Sequence, residues 1–349
     1  MGDREHKKKI AVHLYPLLSL VAVAFVVGVF VGRGMRTIDE TPGGRDSGLF
    51  RSKEKEFRFT NPVSRSETAG SFITSAELKP FLYKVRKLVE TRLKGNDAST
   101  VSVYFRDLKN GNWFGIQENE KFSPSGLLKI PVMIGYFKWA ETNPLVLNKK
   151  LPYAGADGVT NDEDRKPAKT LKAGRSYAVD DLIFRMIAYA DNAAFGLLFT
   201  DLPAGRLHKV YKDLYVDYDP EKSEDHLSLT AYASFFRVLY NASYLNREMS
   251  EKALSYLSRA SVFKSGIAAA IPPDTDVAST FFERIVWTND GDEAEALKQA
   301  HEFGIIYYPN RPYLIGIVTW GNDFKKLEKV IRDISRLVYD EVDRQSRLP

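Results

Sequence analysis

The run FSPSGLLKIPV, residues 122–132, introduces the first helix of the central part of the chain. Apolar residues follow Pro124 and Ser125 at helical spacing, which predicts a helix over 127–140. A second run, MIAYADNAAFGLLF, residues 186–199, places Asp191-Asn192 in an apolar helical surround. A third, FKSGIAAAIPPDTDVASTFFERIVW, residues 263–287, leads into a strand. These three runs together decide how the rest of the chain is interpreted.

Two predicted hairpins flank the helical middle. Asn110-Gly111 lies between the strand-like runs VSVYFRDL and WFGIQEN, and Asn-Gly is a strong hairpin signal. Asn310-Arg311 lies between EFGIIYYP and PYLIGIVTW. Helical spacing predicts further helices at 180–200, 204–214, 229–240 and 250–260, and at both ends of the folded region. This order predicts an α+β fold, in which strands from both ends form one antiparallel sheet, with the terminal helices on one face and a largely helical subdomain on the other.

An apolar stretch near the N-terminus predicts one membrane-spanning helix. Residues 10–32 contain no Lys, Arg, Asp or Glu, and a helix of this length, at about 1.5 Å per residue, crosses a hydrocarbon core about 30 Å thick. Lys7, Lys8 and Lys9 precede it directly. Residues 1–9 are therefore expected to form a short basic cytoplasmic tail, with the rest of the chain outside the cell membrane.

The residues after this stretch divide into a linker and a domain. Residues 33–70 lack apolar periodicity and predict a flexible linker, and 71–349 predict one large domain. A cleavable signal peptide is the alternative to an anchor, but the apolar run is long and no A-x-A site follows it. Gly28 and Gly32 have the spacing that lets membrane helices approach. A purely structural, self-associating anchor is thus a further hypothesis.

Composition excludes several classes of function. The chain has no cysteine, which excludes thiolate metal sites and a cysteine nucleophile. Residues 1–70 hold 12 Lys/Arg and 8 Asp/Glu out of 50 and 45 in the chain, so the remainder is nearly neutral, at 38 against 37. That balance is not typical of a nucleic-acid-binding domain. The five histidines lack metal-ligand spacing, and no phosphate loop is present, so neither a metal nor a cofactor is predicted.

The three runs resemble the serine β-lactamase and penicillin-binding protein superfamily, specifically class A β-lactamase-like domains. The resemblance covers essentially all of 71–349, in the order of elements as well as in local phrases. Three motifs define that family: S-x-x-K at a helix start, S-D-N on a loop between helices, and K-T-G on a strand. The family's fold implies that these motifs meet at a cleft between the helical subdomain and the sheet.

All three motifs are altered in this chain. Aligning Lys129 with the motif lysine places Gly126, which has no side chain to acylate, at the position of the nucleophilic serine. The second motif has Ala190 in place of serine and retains Asp191 and Asn192, and the third has Thr280, Phe281 and Phe282 in place of K-T-G. These are interpreted as vestigial positions, with Lys129 tied to Asn192 in the old cleft and Asp191 a structural group at a helix start.

One serine offers an alternative to this interpretation. Ser125 lies four residues before Lys129, a spacing that puts both side chains on one helix face, so a shifted nucleophile is conceivable. A helix-capping role after Pro124 is favoured, because a nucleophile needs tight placement relative to its base and its oxyanion donors. Glu224 is a faint match to the deacylating glutamate of the class A enzymes and is better explained as part of an acidic surface turn.

The resemblance implies a single-pass bacterial membrane protein with an extracytoplasmic β-lactamase-like domain. Because the acylation chemistry is not supported at three positions, the expected role is catalytically inactive binding or scaffolding at the cell envelope. Its expected partners are the membrane and either a peptidoglycan-type peptide or an envelope protein, and no nucleic acid. The alternative is an active serine hydrolase of β-lactamase or D,D-peptidase type that uses Ser125 with Lys129.

Overall fold

A computed structural model describes residues 57–62, 78–122, 125–155, 170–219, 226–260, 266–290 and 293–347. The predicted tail, the predicted membrane span at 10–32 and most of the predicted linker lie outside these residues. Across the described ranges, no helix combines the length and the apolar composition that crossing a bilayer requires.

The described elements follow the predicted order: a helix, two strands, a largely helical middle, further strands and a final helix. The helices are α1 (Leu78–Lys94), α2 (Lys129–Ala140), α3 (Val179–Ala188), α4 (Asn192–Asp201), α5 (Ala204–Asp213), α6 (Leu229–Tyr240), α7 (Arg247–Leu257), α8 (Ile267–Ala270) and α9 (Phe324–Ser346). The strands are β1 (Thr100–Asp107), β2 (Trp113–Ile116), β3 (Lys121–Phe122), β4 (Lys150–Tyr153), β5 (Arg175–Ala178), β6 (Leu227–Ser228), β7 (Val277–Asp290), β8 (Glu293–Ile306) and β9 (Tyr313–Gly321).

Strands from both ends of the domain form one antiparallel sheet of five strands, in the order β2-β1-β9-β8-β7. The central pairing joins the first strand to the last, with Val103 opposite Ile317. Both predicted hairpins are present, and their turns include Gly111 at φ +80° and Asn310 at φ +58°. The predicted α+β architecture with an antiparallel sheet is therefore confirmed.

The sheet separates two hydrophobic cores. On one face, α1 and α9 bury an apolar layer that includes Val85, Ile317 and Val338. On the other face, the helical subdomain packs against sheet residues such as Phe303 and Val318. Successive residues of a strand point to opposite faces, so each inner strand supplies both cores.

The predicted helix at 180–200 is wrong in one respect: it is two helices, α3 and α4, separated by residues 189–191. Ala190 has φ +54°, a left-handed conformation that cannot continue a right-handed helix. The break turns the backbone carbonyl of Ala190 toward α2, where Lys129 donates a hydrogen bond to it over 2.9 Å. Apolar periodicity alone does not report this break because it continues on both sides.

A short segment within the predicted linker packs on the domain. The Glu251 carboxylate accepts the backbone N–H groups of Arg58, Phe59 and Thr60 at 2.7 to 3.1 Å. Phe59 is buried, and Tyr307 Oη donates to its carbonyl over 3.0 Å. Residues 57–61, here named the strap, therefore belong to the folded unit.

Candidate functional site

The candidate site begins at a turn of 3₁₀-helix, Ser125–Leu128, that leads directly into α2. Tyr232 of α6 holds this turn by donating from its buried hydroxyl to the Leu127 carbonyl over 2.9 Å. Gly126 lies in the turn, and Lys129 is the first residue of α2. The hydrogen bond from Tyr232 ties the turn that carries Gly126 to helix α6.

Lys129 is buried, and its amine is bonded to the loop between α3 and α4. It donates to the Ala190 carbonyl over 2.9 Å and to Asn192 Oδ1 over 2.8 Å. The contact with Asn192 is the one the sequence predicted. Burial lowers the pKa of Lys129 to about 8, and the nearby Asp191 carboxylate partly opposes that decrease. The ammonium is thus a poorly solvated cation, held by one carbonyl and one amide oxygen.

Asp191 is the N-cap of α4. Its buried carboxylate accepts the backbone N–H groups of Ala193 and Ala194 through Oδ1, at 2.9 and 3.1 Å. This is the structural role at a helix start that was expected for Asp191. Its other oxygen, Oδ2, has no hydrogen-bond partner among the described residues. The carboxylate therefore stabilises α4 and supplies negative potential close to Lys129.

The third altered motif lies on β7, and its residues divide between the two faces of the sheet. Phe281 is buried in the core beneath α8 and α9, on the face of the sheet away from the helical subdomain. Phe282 points the other way and packs against the helical subdomain, on the face that also carries Ala278. The alternation of side chains along a strand accounts for this separation. Thr280 lies opposite Phe303 of β8 and is partly buried.

Phe282 and Gly126 meet across the cleft. A Cβ atom built on Gly126 would lie 3.2 Å from Cγ of the Phe282 ring and would overlap two other ring carbons, Cδ2 and Cε2. The two overlapping contacts are closer than real Cβ atoms come to other heavy atoms, so position 126 accepts a side chain only if the ring moves. An aromatic ring from the sheet consequently fills the space beside position 126, which the sequence resemblance aligns with the family's nucleophile.

Sequence reasoning missed the residues that support this ring. His301 of β8 lies opposite Phe282 in the sheet, and Phe122 of β3 lies 5.1 Å from the His301 ring. Burial lowers the pKa of His301 to about 3, so the ring is neutral and donates from Nε2 to Gln299 Oε1 over 3.2 Å. A lone histidine in a strand carries no spacing signal that could have identified it.

Two sequence-predicted groups fall outside the described structure. Glu224 lies outside the described residues, and nothing is described of the Ser125 side chain, although its backbone begins the 3₁₀ turn. In the parts of the chain that are described, no group of three or more His, Asp or Glu residues is arranged to hold a metal ion. The described site therefore consists of the Lys129 ammonium, the Asn192 amide and the Phe282 ring.

The model of the beta-lactamase enzyme family matches residues 84–342, which is more than half of the chain. The chain belongs to the beta-lactamase enzyme family. Gly126, Ala190 and Phe282 all lie within the matched residues. Among curated proteins, none matches the chain in sequence.

Solved structures share the fold. The β-lactamase from Xanthomonas campestris pv. campestris has a TM-score of 0.61 at 17% identity, covering 74% of this chain and 97% of that one. PBP-A has a TM-score of 0.60 at 17% identity, covering 76% and 97%, and a mutant of it is known as an acyl-enzyme complex with penicillin G. The class A β-lactamase from Mycobacterium abscessus has a TM-score of 0.58 at 17% identity, covering 75% and 98%. Each is similar to this chain in fold.

Proposed function

We propose that this protein is a catalytically inactive, membrane-anchored β-lactamase-like protein that binds or scaffolds at the bacterial cell envelope. The observation that carries the proposal is the packing of Phe282 against Gly126. Acyl transfer needs a nucleophilic oxygen within reach of a base, in a space that a substrate carbonyl can enter. Gly126 supplies no side-chain oxygen, and the ring of Phe282 fills the adjacent space.

The remaining polar groups support a structural role for the old cleft. Lys129 donates two of its three N–H groups to Ala190 and Asn192, and these hydrogen bonds join α2 to the start of α4. Asp191 spends one carboxylate oxygen on two backbone donors of α4. These contacts hold two helices together where the family has its reaction centre. Asn192 is thereby used as an acceptor for the chain's own lysine.

The placement at the envelope rests on the N-terminal sequence. The apolar run 10–32 follows Lys7, Lys8 and Lys9, which is the pattern of an anchor with its N-terminus in the cytoplasm. The domain then lies outside the membrane, where a peptidoglycan-type peptide or an envelope protein is available as a partner. The class of partner is proposed by analogy with the fold.

Intact-mass spectrometry of the full chain in detergent, after incubation with penicillin G, tests the proposal. The expected result is an unchanged mass and an unchanged penicillin concentration. A mass increase that maps to Ser125 and disappears in Ser125→Ala would overturn the proposal and establish the shifted nucleophile. Penicillin consumption without a retained adduct, lost in Ser125→Ala, would do the same. A Ser99→Ala variant is the matched control for loss of a serine remote from the turn.

A further inference from the structure

Helix α1 is strongly basic, although the domain as a whole is nearly neutral. Its sequence LKPFLYKVRKLVETRLK contains six Lys or Arg and one Glu, a net charge of 6 − 1 = +5. Residues 71–349 hold 38 basic and 37 acidic residues, so the domain without α1 has 32 against 36, or −4. The helix that follows the linker therefore has a net positive charge, while the rest of the domain has a net negative charge.

Four of the six cations of α1 lie on one face. At about 100° per residue, positions 79, 83, 86, 87, 90 and 94 fall within a stripe about 100° wide. All six of these side chains are exposed, while Phe81, Val85 and Val89 on the opposite side are buried against the sheet. This stripe, here named the basic face, consists of Lys79, Tyr83, Arg86, Lys87, Glu90 and Lys94.

The cations of the basic face are available for a partner. Lys84 and Arg92 lie outside the basic face and are bonded to Glu341 and to Asp97 and Asp333, respectively, at 2.6 to 3.1 Å. By contrast, Lys79, Arg86, Lys87 and Lys94 form no ion pair with any residue of the described chain. Tyr83 stands among them with 67% of its surface exposed. Tyrosine is enriched at membrane–water interfaces, where its ring lies at the level of the headgroups.

We propose that the basic face docks on the anionic phospholipid surface of the membrane that anchors the chain. This inference rests on the proposed anchor, which keeps the domain at a high local concentration near the membrane. Charge complementarity between the basic face and the lipid then sets the orientation of the domain. Residue 78, where α1 begins, lies 46 positions after the end of the apolar run at residue 32. The domain then lies with α1 against the lipid headgroups, and the helical subdomain faces away from the membrane.

A single fluorophore on the full chain tests the docking. The chain has no cysteine, so Tyr83→Cys and Tyr215→Cys each provide one labelling position, the second on the exposed Tyr215 of the helical subdomain. Each labelled chain is reconstituted in vesicles of phosphatidylcholine alone or with about 30% phosphatidylglycerol, containing nitroxide-labelled lipid as a quencher. Quenching at position 83 is expected to be at least about threefold stronger with phosphatidylglycerol, and to fall when salt is raised from about 0.1 M to about 0.5 M. Position 215 is expected to change little.

A charge-matched pair of variants assigns the effect to the basic face. In the Tyr83→Cys chain, replacement of all four unpaired cations by Gln is expected to abolish the phosphatidylglycerol-dependent quenching. The control removes the same charge at exposed cations elsewhere: Lys109, Lys172, Arg175 and Lys212. Equal quenching with and without phosphatidylglycerol, or equal loss in the two variants, would overturn the docking. Retention on a dextran sulfate column without quenching on vesicles would assign the face to a soluble polymer and would also overturn it.

Flotation of the same samples separates this inference from the proposed anchor. A chain that floats with phosphatidylcholine vesicles is anchored, whatever the label at position 83 reports. A chain that floats only with phosphatidylglycerol vesicles, and is quenched at position 83, has a functional basic face and no anchor. A chain that floats with both and shows no lipid-dependent quenching is anchored and does not dock.

Discussion

The ring of Phe282 occupies the space that a side chain at position 126 would need. The two residues belong to different layers, one to the turn before α2 and the other to β7 of the sheet. The Phe282 ring fits beside position 126 because Gly126 has no side chain. Placing a serine at position 126 would therefore force the ring of Phe282 to move.

A double-mutant cycle measures this dependence. Gly126→Ser is expected to destabilise the domain by about 1 to 3 kcal/mol through overpacking. Phe282→Ala is expected to lose packing of comparable size, and the double variant is expected to be more stable than the sum of the two predicts. A coupling free energy of about 1 kcal/mol or more, from urea unfolding, would establish the contact. Additive effects would contradict it.

Lys129 predicts a specific dependence of stability on alkaline pH. Its folded pKa of about 8 lies below the ordinary value of 10.5, so between these values the unfolded chain binds more protons than the folded one. The free energy of unfolding therefore rises with pH across that window, by up to about 3 kcal/mol in wild type relative to Lys129→Met. Urea unfolding of both chains from pH 7 to pH 10.5 gives the difference, which cancels other titrating groups. A difference independent of pH would contradict the burial of a charged amine.

Asp191 is expected to act mainly through its cap. Asp191→Ala leaves two backbone donors of α4 without their acceptor and should cost about 1 kcal/mol. Asp191→Asn keeps a carbonyl oxygen at that position and should cost less. Both changes remove the charge that raises the pKa of Lys129, so the lower end of the alkaline window should move below pH 8. Equal destabilisation by Asn and Ala would show that the charge, rather than the cap, matters.

The strap should become accessible to protease when its anchor is removed. Glu251→Ala deprives three consecutive backbone N–H groups of their acceptor, so trypsin is expected to cleave after Arg58 about tenfold faster under native conditions. Mass spectrometry of the fragments measures the rate. Glu248→Ala, an exposed carboxylate on the same helix, is the control. An unchanged rate in Glu251→Ala would place the attachment of the strap elsewhere, for example in the pair of Arg58 with Asp276 at 2.6 Å.

The sequence pattern predicted the hairpins and the last helix because turn residues and apolar periodicity are signals carried by neighbouring residues. The Asn-Gly and Asn-Arg turns lie where the two hairpins turn, and the apolar stripe of the last helix is the buried side of α9. The break at Ala190 escaped prediction because alanine rarely adopts a positive φ without an external reason. That reason is tertiary, since the carbonyl it exposes accepts a hydrogen bond from Lys129. The packing of Phe59 was missed for a similar reason: one aromatic in a polar segment has no period.

The sequence by itself determined the order of the elements, the resemblance to a family, and the residues that this resemblance aligns with the family's motifs. These depend on residue type and spacing along the chain. Only the tertiary structure decided that Phe282, and not Phe281, fills the place beside Gly126, and that Lys129 is bonded to the loop before α4. Which face of a strand a side chain takes, and what it meets there, follows from strand register and from the packing of distant segments, because van der Waals contact depends on position in space.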